Sequence, residues 1–228
     1  MNIIETLRAA GWIAMKDLRI EARTGEVVVT VGLFAVLVTV LASLAFYLDP
    51  VTARRVAPGV LWIPITFAGV LAMGRSWARE REQDVMRGLL LAPIPRASIY
   101  LGKAAGALAF LLIVEVVLVP IVAILFHLDL TDVIGRLALL LALGTVGFVV
   151  SGSLFSAMSV RTTARDMVLG VVIFPLVTPA LLTGVVATRE LLGGAPLEET
   201  LRSVQILAAF DLLFLVGGTV LFGPLTND

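Results

Sequence analysis

Apolar residues along this chain come in long unbroken blocks separated by short polar stretches, rather than alternating as they would in half-buried strands. A helix rises about 1.5 Å per residue, so roughly 20 apolar residues cross the hydrocarbon core of a bilayer. Six blocks reach that length: 27–48, 56–74, 104–126, 137–158, 167–188 and 204 to about 224. Blocks such as the first, fourth and fifth carry no charged residue at all. An unpaired backbone group is costly in lipid, so blocks of this kind predict helices. The chain is expected to be an all-α membrane protein with six transmembrane helices.

A different pattern precedes the first block. At 100° per residue Ile3, Ile4, Leu7, Ala10, Gly11, Ala14, Met15 and Leu18 share one arc, while Glu5, Arg8, Lys16, Arg19 and Arg23 share another. Residues 1–26 therefore predict an amphipathic helix lying in the membrane interface, with Trp12 and Ile13 off the apolar arc. A plain positively charged anchor is the simpler alternative. The mixed charge, with no uninterrupted apolar core before a small-residue cleavage site, marks the segment as retained rather than a signal peptide. Residues 27–224 form one helical bundle in this reading, interrupted by a polar loop over 75–103.

Composition agrees with the pattern. Hydrophobic residues make up 59% of the chain and its mean hydropathy is +1.05, more than a water-facing surface tolerates. Lys+Arg and Asp+Glu are 17 each, which gives no argument for nucleic acid. With no cysteine, disulfides, thiolate metal sites and thioether haem attachment are excluded on this chain. The distribution of basic residues is more informative than their sum. Twelve fall before the first block, in the loop over 75–103 and around Arg161 and Arg165, against five at Arg54, Arg55, Arg136, Arg189 and Arg202. The positive-inside rule then puts both termini in the cytoplasm of a multi-pass inner-membrane protein.

The loop between the second and third blocks carries dense mixed charge at Arg79, Glu80, Arg81, Glu82, Asp84 and Arg87. A short apolar step and two prolines follow, at Gly88, Leu89, Leu90, Leu91, Pro93 and Pro95. A solvated loop with local ion pairs is one reading. The three consecutive leucines favour another, a short amphipathic element that docks on a partner. Gly102-Lys103 is not a phosphate-binding loop, because Ala97 and Ala104 stand where such a loop needs glycine and a hydroxyl. Two acids fall inside spans, Glu115 and Asp211. Each is a candidate functional group and equally a candidate hydrogen-bonding tie between helices. His127 is the one histidine, just past the third block beside Asp129 and Asp132; it cannot form a metal cluster and is at most a single axial ligand. Pro64, Pro120, Pro175 and Pro179 punctuate the spans, and Gly102 with Gly106 forms a small-xxx-small pair.

Four stretches resemble the cytochrome c maturation permeases, the haem exporter protein B family, relatives of ABC-2 type export permeases. They are Lys16-Asp17-Leu18-Arg19 with Glu21, Arg23, Thr24 and Glu26; Ala57-Pro58-Gly59-Val60-Leu61-Trp62 with Phe67-Ala68; Glu80-Arg81-Glu82 with Gly88-Leu89-Leu90-Leu91-Ala92-Pro93 and Ile99-Tyr100-Leu101-Gly102-Lys103; and Leu154-Phe155-Ser156 through Arg161 with Phe174-Pro175-Leu176 and Pro179. The resemblance implies a permease present in two copies and bound to ABC ATPase subunits, where ATP is hydrolysed. It further implies a haem-handling membrane subunit and a periplasmic haem chaperone as partners, with haem as cargo of the complex. It casts Glu80, Arg81, Glu82, Gly88, Leu89, Leu90, Leu91 and Pro93 as the ATPase-coupling loop. An ABC-2 permease for a lipid, glycan or drug, and a non-transporting scaffold, remain open beside it. An intramembrane enzyme using Glu115 and Asp211 lacks a nucleophile-base pair.

Overall fold

The computed structural model describes residues 3–45, 50–82, 85–159 and 165–225, with the side chains of 26–27, 50, 78–79, 81–82, 86–87, 90, 157–159, 165–174 and 225 outside the description. Those residues form eight helices: α1 (Ile3–Thr24), α2 (Glu26–Ala45), α3 (Pro50–Glu82), α4 (Val85–Leu91), α5 (Arg96–Leu125), α6 (Ile134–Ser159), α7 (Arg165–Leu192) and α8 (Leu197–Leu225). No strand occurs among them. By length and composition α2, α3, α5, α6 and α8 suffice to cross a membrane. The fifth expected crossing, 167–188, lies in α7, where the side chains of 165–174 are outside the description, so five such helices stand against the six expected.

The surface is what lipid demands. Val29, Leu33 and Leu44 of α2, Val116 and Ile124 of α5, and Leu212, Leu213 and Val220 of α8 are all exposed. An apolar surface this extensive marks a chain whose solvent is hydrocarbon.

Two boundaries differ from the expected ones. The second span starts at Pro50 and its helix runs on to Glu82, so the first eight residues of the expected loop are helical. Arg75 to Glu82 holds good helix formers and neither glycine nor proline, and nothing stops the helix there. At 33 residues α3 is about 50 Å long, against roughly 30 Å of hydrocarbon, so it extends beyond the membrane core. The re-entry comes at Pro95, whose carbonyl accepts the Ser98 amide at 2.9 Å as the cap of α5.

α1 ends at Gly25, where φ is +61° and the Gly25 amide donates to the Glu21 carbonyl at 2.7 Å. This left-handed stop lets the chain turn at once into α2. α1 buries Thr6, Ala10 and Ile13 against the bundle, chiefly against α5. Ile3, Ile4 and Leu7, expected on the same arc as Ala10, are exposed, while Ile13, expected off that arc, is buried. The helix has two apolar faces, one packed on protein and one open, and periodicity alone merges them.

Buried side chains form three layers. Trp62, Leu61, Leu118, Phe126, Leu137 and Leu191 fill the end of the bundle near His127. Met73, Phe110, Leu111 and Phe148 fill its middle. Ile13, Trp77, Ile99, Tyr100, Leu154 and Phe222 close the opposite end, so α1 and the end of α8 lie together there.

Candidate functional site

The sequence Tyr100-Leu101-Gly102-Lys103 lies in the first turns of α5, and three of its four residues fasten neighbouring helices. Tyr100 is fully buried, with its hydroxyl 2.9 Å from the Val150 carbonyl of α6 and 3.2 Å from the Phe214 carbonyl of α8. Gly102 is the floor on which α1 rests: a Cβ there would meet Ile13 Cβ at 2.7 Å and the Ala10 carbonyl at 2.8 Å. Gly106, one turn on, faces Ala14 and Asp17. The small-xxx-small pair is therefore a seat for α1.

Lys103 carries the charge of this joint. It is 2% exposed, and its ammonium lies 2.5 Å from Glu80 Oε1 and 2.9 Å from Asp17 Oδ2. It also donates to Ser76 Oγ at 3.2 Å. Lys16 reaches the same Glu80 oxygen at 2.5 Å and Asp17 at 3.2 Å. Two ammonium groups and two carboxylates thus tie α1, α3 and α5 into one node, beside a cleft of about 50 Å³ that Glu21 and Phe110 also line. Burial is the largest influence on Lys16 and lowers its pKa, but the contacts with Glu80 and Asp17 outweigh it and the net direction is upward.

α4 follows the end of α3 that carries Glu80. Its Leu89 packs against the layer of Ile13, Trp77 and Tyr100, whereas Leu91 is 80% exposed, and Gly88 and Pro93 are exposed. Glu80 points the other way: it is 4% exposed, and its buried Oε2 has no hydrogen-bond partner among the described residues. The side chains of Arg81, Glu82 and Leu90 lie outside the described residues. The expected coupling residues thus divide into an inward-facing anchor, Glu80, and an outward-facing step around Leu91.

The sequence pattern that defines the CcmB protein family matches residues 8–223. The chain belongs to the CcmB family. Among relatives of this CcmB chain, the heme exporter protein B of Bradyrhizobium diazoefficiens is 29% identical over 215 residues, covering 93% of this chain and 94% of that protein. Heme exporter protein B of Paracoccus denitrificans is 28% identical over 203 residues, with 88% and 90% covered. That of Rhodobacter capsulatus is 27% identical over 206 residues, with 85% and 88% covered.

The remaining candidate residues of this CcmB chain are scattered. Glu115 is buried and accepts a hydrogen bond from the Thr145 hydroxyl, tying α5 to α6. Asp211 is 7% exposed on α8, with neither carboxylate oxygen hydrogen-bonded among the described residues and Gly147 and Phe210 close by. The two acids share no contact given by the structure. His127 is exposed with φ of 49° and closes α5: its own amide donates to Ile124 at 3.3 Å and that of Leu128 donates to Ala123 at 2.9 Å. That pattern is a Schellman motif with histidine in the place glycine usually takes. Among the described residues no group of three His, Cys, Asp or Glu is placed to hold a metal ion.

Sequence reasoning missed the job of Trp62. Its indole donates to Thr188 Oγ1 at 3.1 Å, and its ring lies in a notch left by Gly144 of α6 and Gly184 of α7. Thr188 in turn donates to the Gly184 carbonyl at 2.7 Å. The signal was a large aromatic beside two distant glycines, which no spacing rule connects.

Proposed function

We propose that this chain is the membrane permease subunit of a haem exporter complex serving cytochrome c maturation, and that ATP is hydrolysed on a separate ABC ATPase subunit. The observation that carries the reading is the CcmB family match over residues 8–223. The sequence carries no phosphate-binding loop, which supports ATP hydrolysis on another subunit. The basic residues gathered before α2 and between α3 and α5 support a cytoplasmic position for that end and for both termini of an inner-membrane protein. The ATPase meets the exposed step at the end of α4, at Leu91 and the following Pro93, and the charge node passes the push to α1, α3 and α5. Two copies of the chain, a haem-handling membrane subunit and a periplasmic haem chaperone complete the complex.

The test is affinity purification of the tagged chain from gently solubilised membranes, beside the variant Leu91→Asp. Recovery of an ABC ATPase with a haem-pathway subunit, and loss of the ATPase alone in L91D, is the expected result. An ATPase without haem-pathway subunits would point to another cargo. Recovery of the chain without any ATPase would refute the reading.

A further inference from the structure

We propose that α1 carries a headgroup site for an anionic phospholipid, built from Trp12, Arg19 and Arg23. Arg8, Trp12, Met15, Arg19 and Arg23 recur at intervals of three and four residues and so form one row along the helix. That row lies away from Thr6, Ala10 and Ile13, which face the bundle. Trp12 is 64% exposed, and Met15, Arg19 and Arg23 are exposed beside it. Together with Lys16 and Ile20 they line a groove of about 380 Å³.

The charge of that groove calls for an anion. Lys16 is engaged with Asp17 and Glu80, and among the described residues neither Arg19 nor Arg23 makes an ion pair. Glu5, the one acid on that side of the helix, stands two turns before Trp12. The position calls for a lipid rather than a free ion. Ile3, Ile4 and Leu7 are exposed on the adjoining arc, and Gly25 turns α1 directly into a membrane-crossing helix. Such a helix sits at headgroup depth, with the apolar arc toward acyl chains. Tryptophan favours that depth, and a guanidinium there takes two phosphate oxygens at once. The phosphodiester of phosphatidylglycerol matches the row; the choline of phosphatidylcholine sets a cation against it.

The experiment uses the purified full-length chain in mild detergent, titrated separately with phosphatidylglycerol and phosphatidylcholine and read by native mass spectrometry. Wild type is expected to take phosphatidylglycerol preferentially. Each arginine near an anionic headgroup contributes about fivefold in affinity, so Arg19→Gln with Arg23→Gln lowers that binding roughly 25-fold. Trp12→Ala weakens both lipids alike. The arginine side chains are exposed, so the double variant keeps the wild-type melting temperature. Independently of any variant, 1 M salt shrinks the screening length to about 3 Å and abolishes the preference in wild type. Equal binding of the two lipids by wild type, or an unchanged preference in the double variant, overturns the proposal. Retained lipid preference with loss of co-purifying ATPase would instead make the row a protein-docking surface.

Discussion

Replacing Lys103 with methionine keeps the length of the stem and removes the ammonium, leaving Glu80 and Asp17 to Lys16 alone. Removing one member of a buried ion pair costs about 3–5 kcal/mol, because the other charge is left uncompensated. Lys103 is 2% exposed and Glu80 nearly as buried, so the full penalty would apply to an isolated pair. It is not isolated: Lys16 still reaches Glu80 at 2.5 Å and Asp17 at 3.2 Å. The expected loss is therefore about 2–3 kcal/mol. In a chain of this size about 1 kcal/mol moves the melting midpoint by roughly 2–4 °C, which puts Lys103→Met about 4–12 °C below wild type. The assay is loss of the monodisperse peak in size-exclusion chromatography after heating in mild detergent. Glu80→Gln added to Lys103→Met removes the stranded charge, and the double-mutant cycle should show a coupling of about 1–2 kcal/mol. A Lys103→Met protein melting within about 2 °C of wild type, or two substitutions whose effects simply add, would refute the node as a source of stability.

Gly102→Ala should lift α1 from α5 and cost about 1–3 kcal/mol, since the new Cβ meets Ile13 and the Ala10 carbonyl. Gly88→Ala, with nothing within 4 Å of its Cβ, should melt like wild type. His127→Gly should raise stability by about 1 kcal/mol by relieving the left-handed backbone, read as a higher melting midpoint; a fall would mean that the imidazole has a role of its own. Lys16 has a pKa raised above its ordinary value, so its contribution is full below the unfolded value and is lost as pH rises through the folded one. Wild type and Lys16→Met should therefore differ in melting midpoint at neutral pH and converge only above about pH 10.5.

Much of the fold was legible in the sequence because lipid imposes a simple rule: a long apolar block must be a helix. The described residues of the blocks over 27–48, 104–126 and 137–158 fall inside α2, α5 and α6 apart from Phe126, with 46–48 outside the described residues. The continuation of α3 to Glu82 was not legible, because a charged helix leaving the membrane reads like a solvated loop when only hydropathy is followed. The node was legible only in pieces. Lys16, Asp17, Glu80 and Lys103 each stood in a stretch that resembled the family, but an ion pair across 64 residues, as between Lys16 and Glu80, leaves no local pattern. Glu80 illustrates the limit best. A glutamate among charged neighbours suggests an exposed docking residue, and only the approach of α1 and α5 turns it inward. Glu115 was legible as either functional group or tie, and Thr145 supplies the tie.

The unbroken length of α3 makes it a lever. Near its middle Trp62 is gripped by α6 and α7, and near its C-terminal end Glu80 is gripped by α1 and α5. Between those grips run 17 residues with one proline, Pro64, close to the first. A tilt of a few degrees delivered at Glu80 would reappear, reversed in direction, on the far side of whichever grip serves as fulcrum. The opposite membrane face could then open or close without any helix having to unwind.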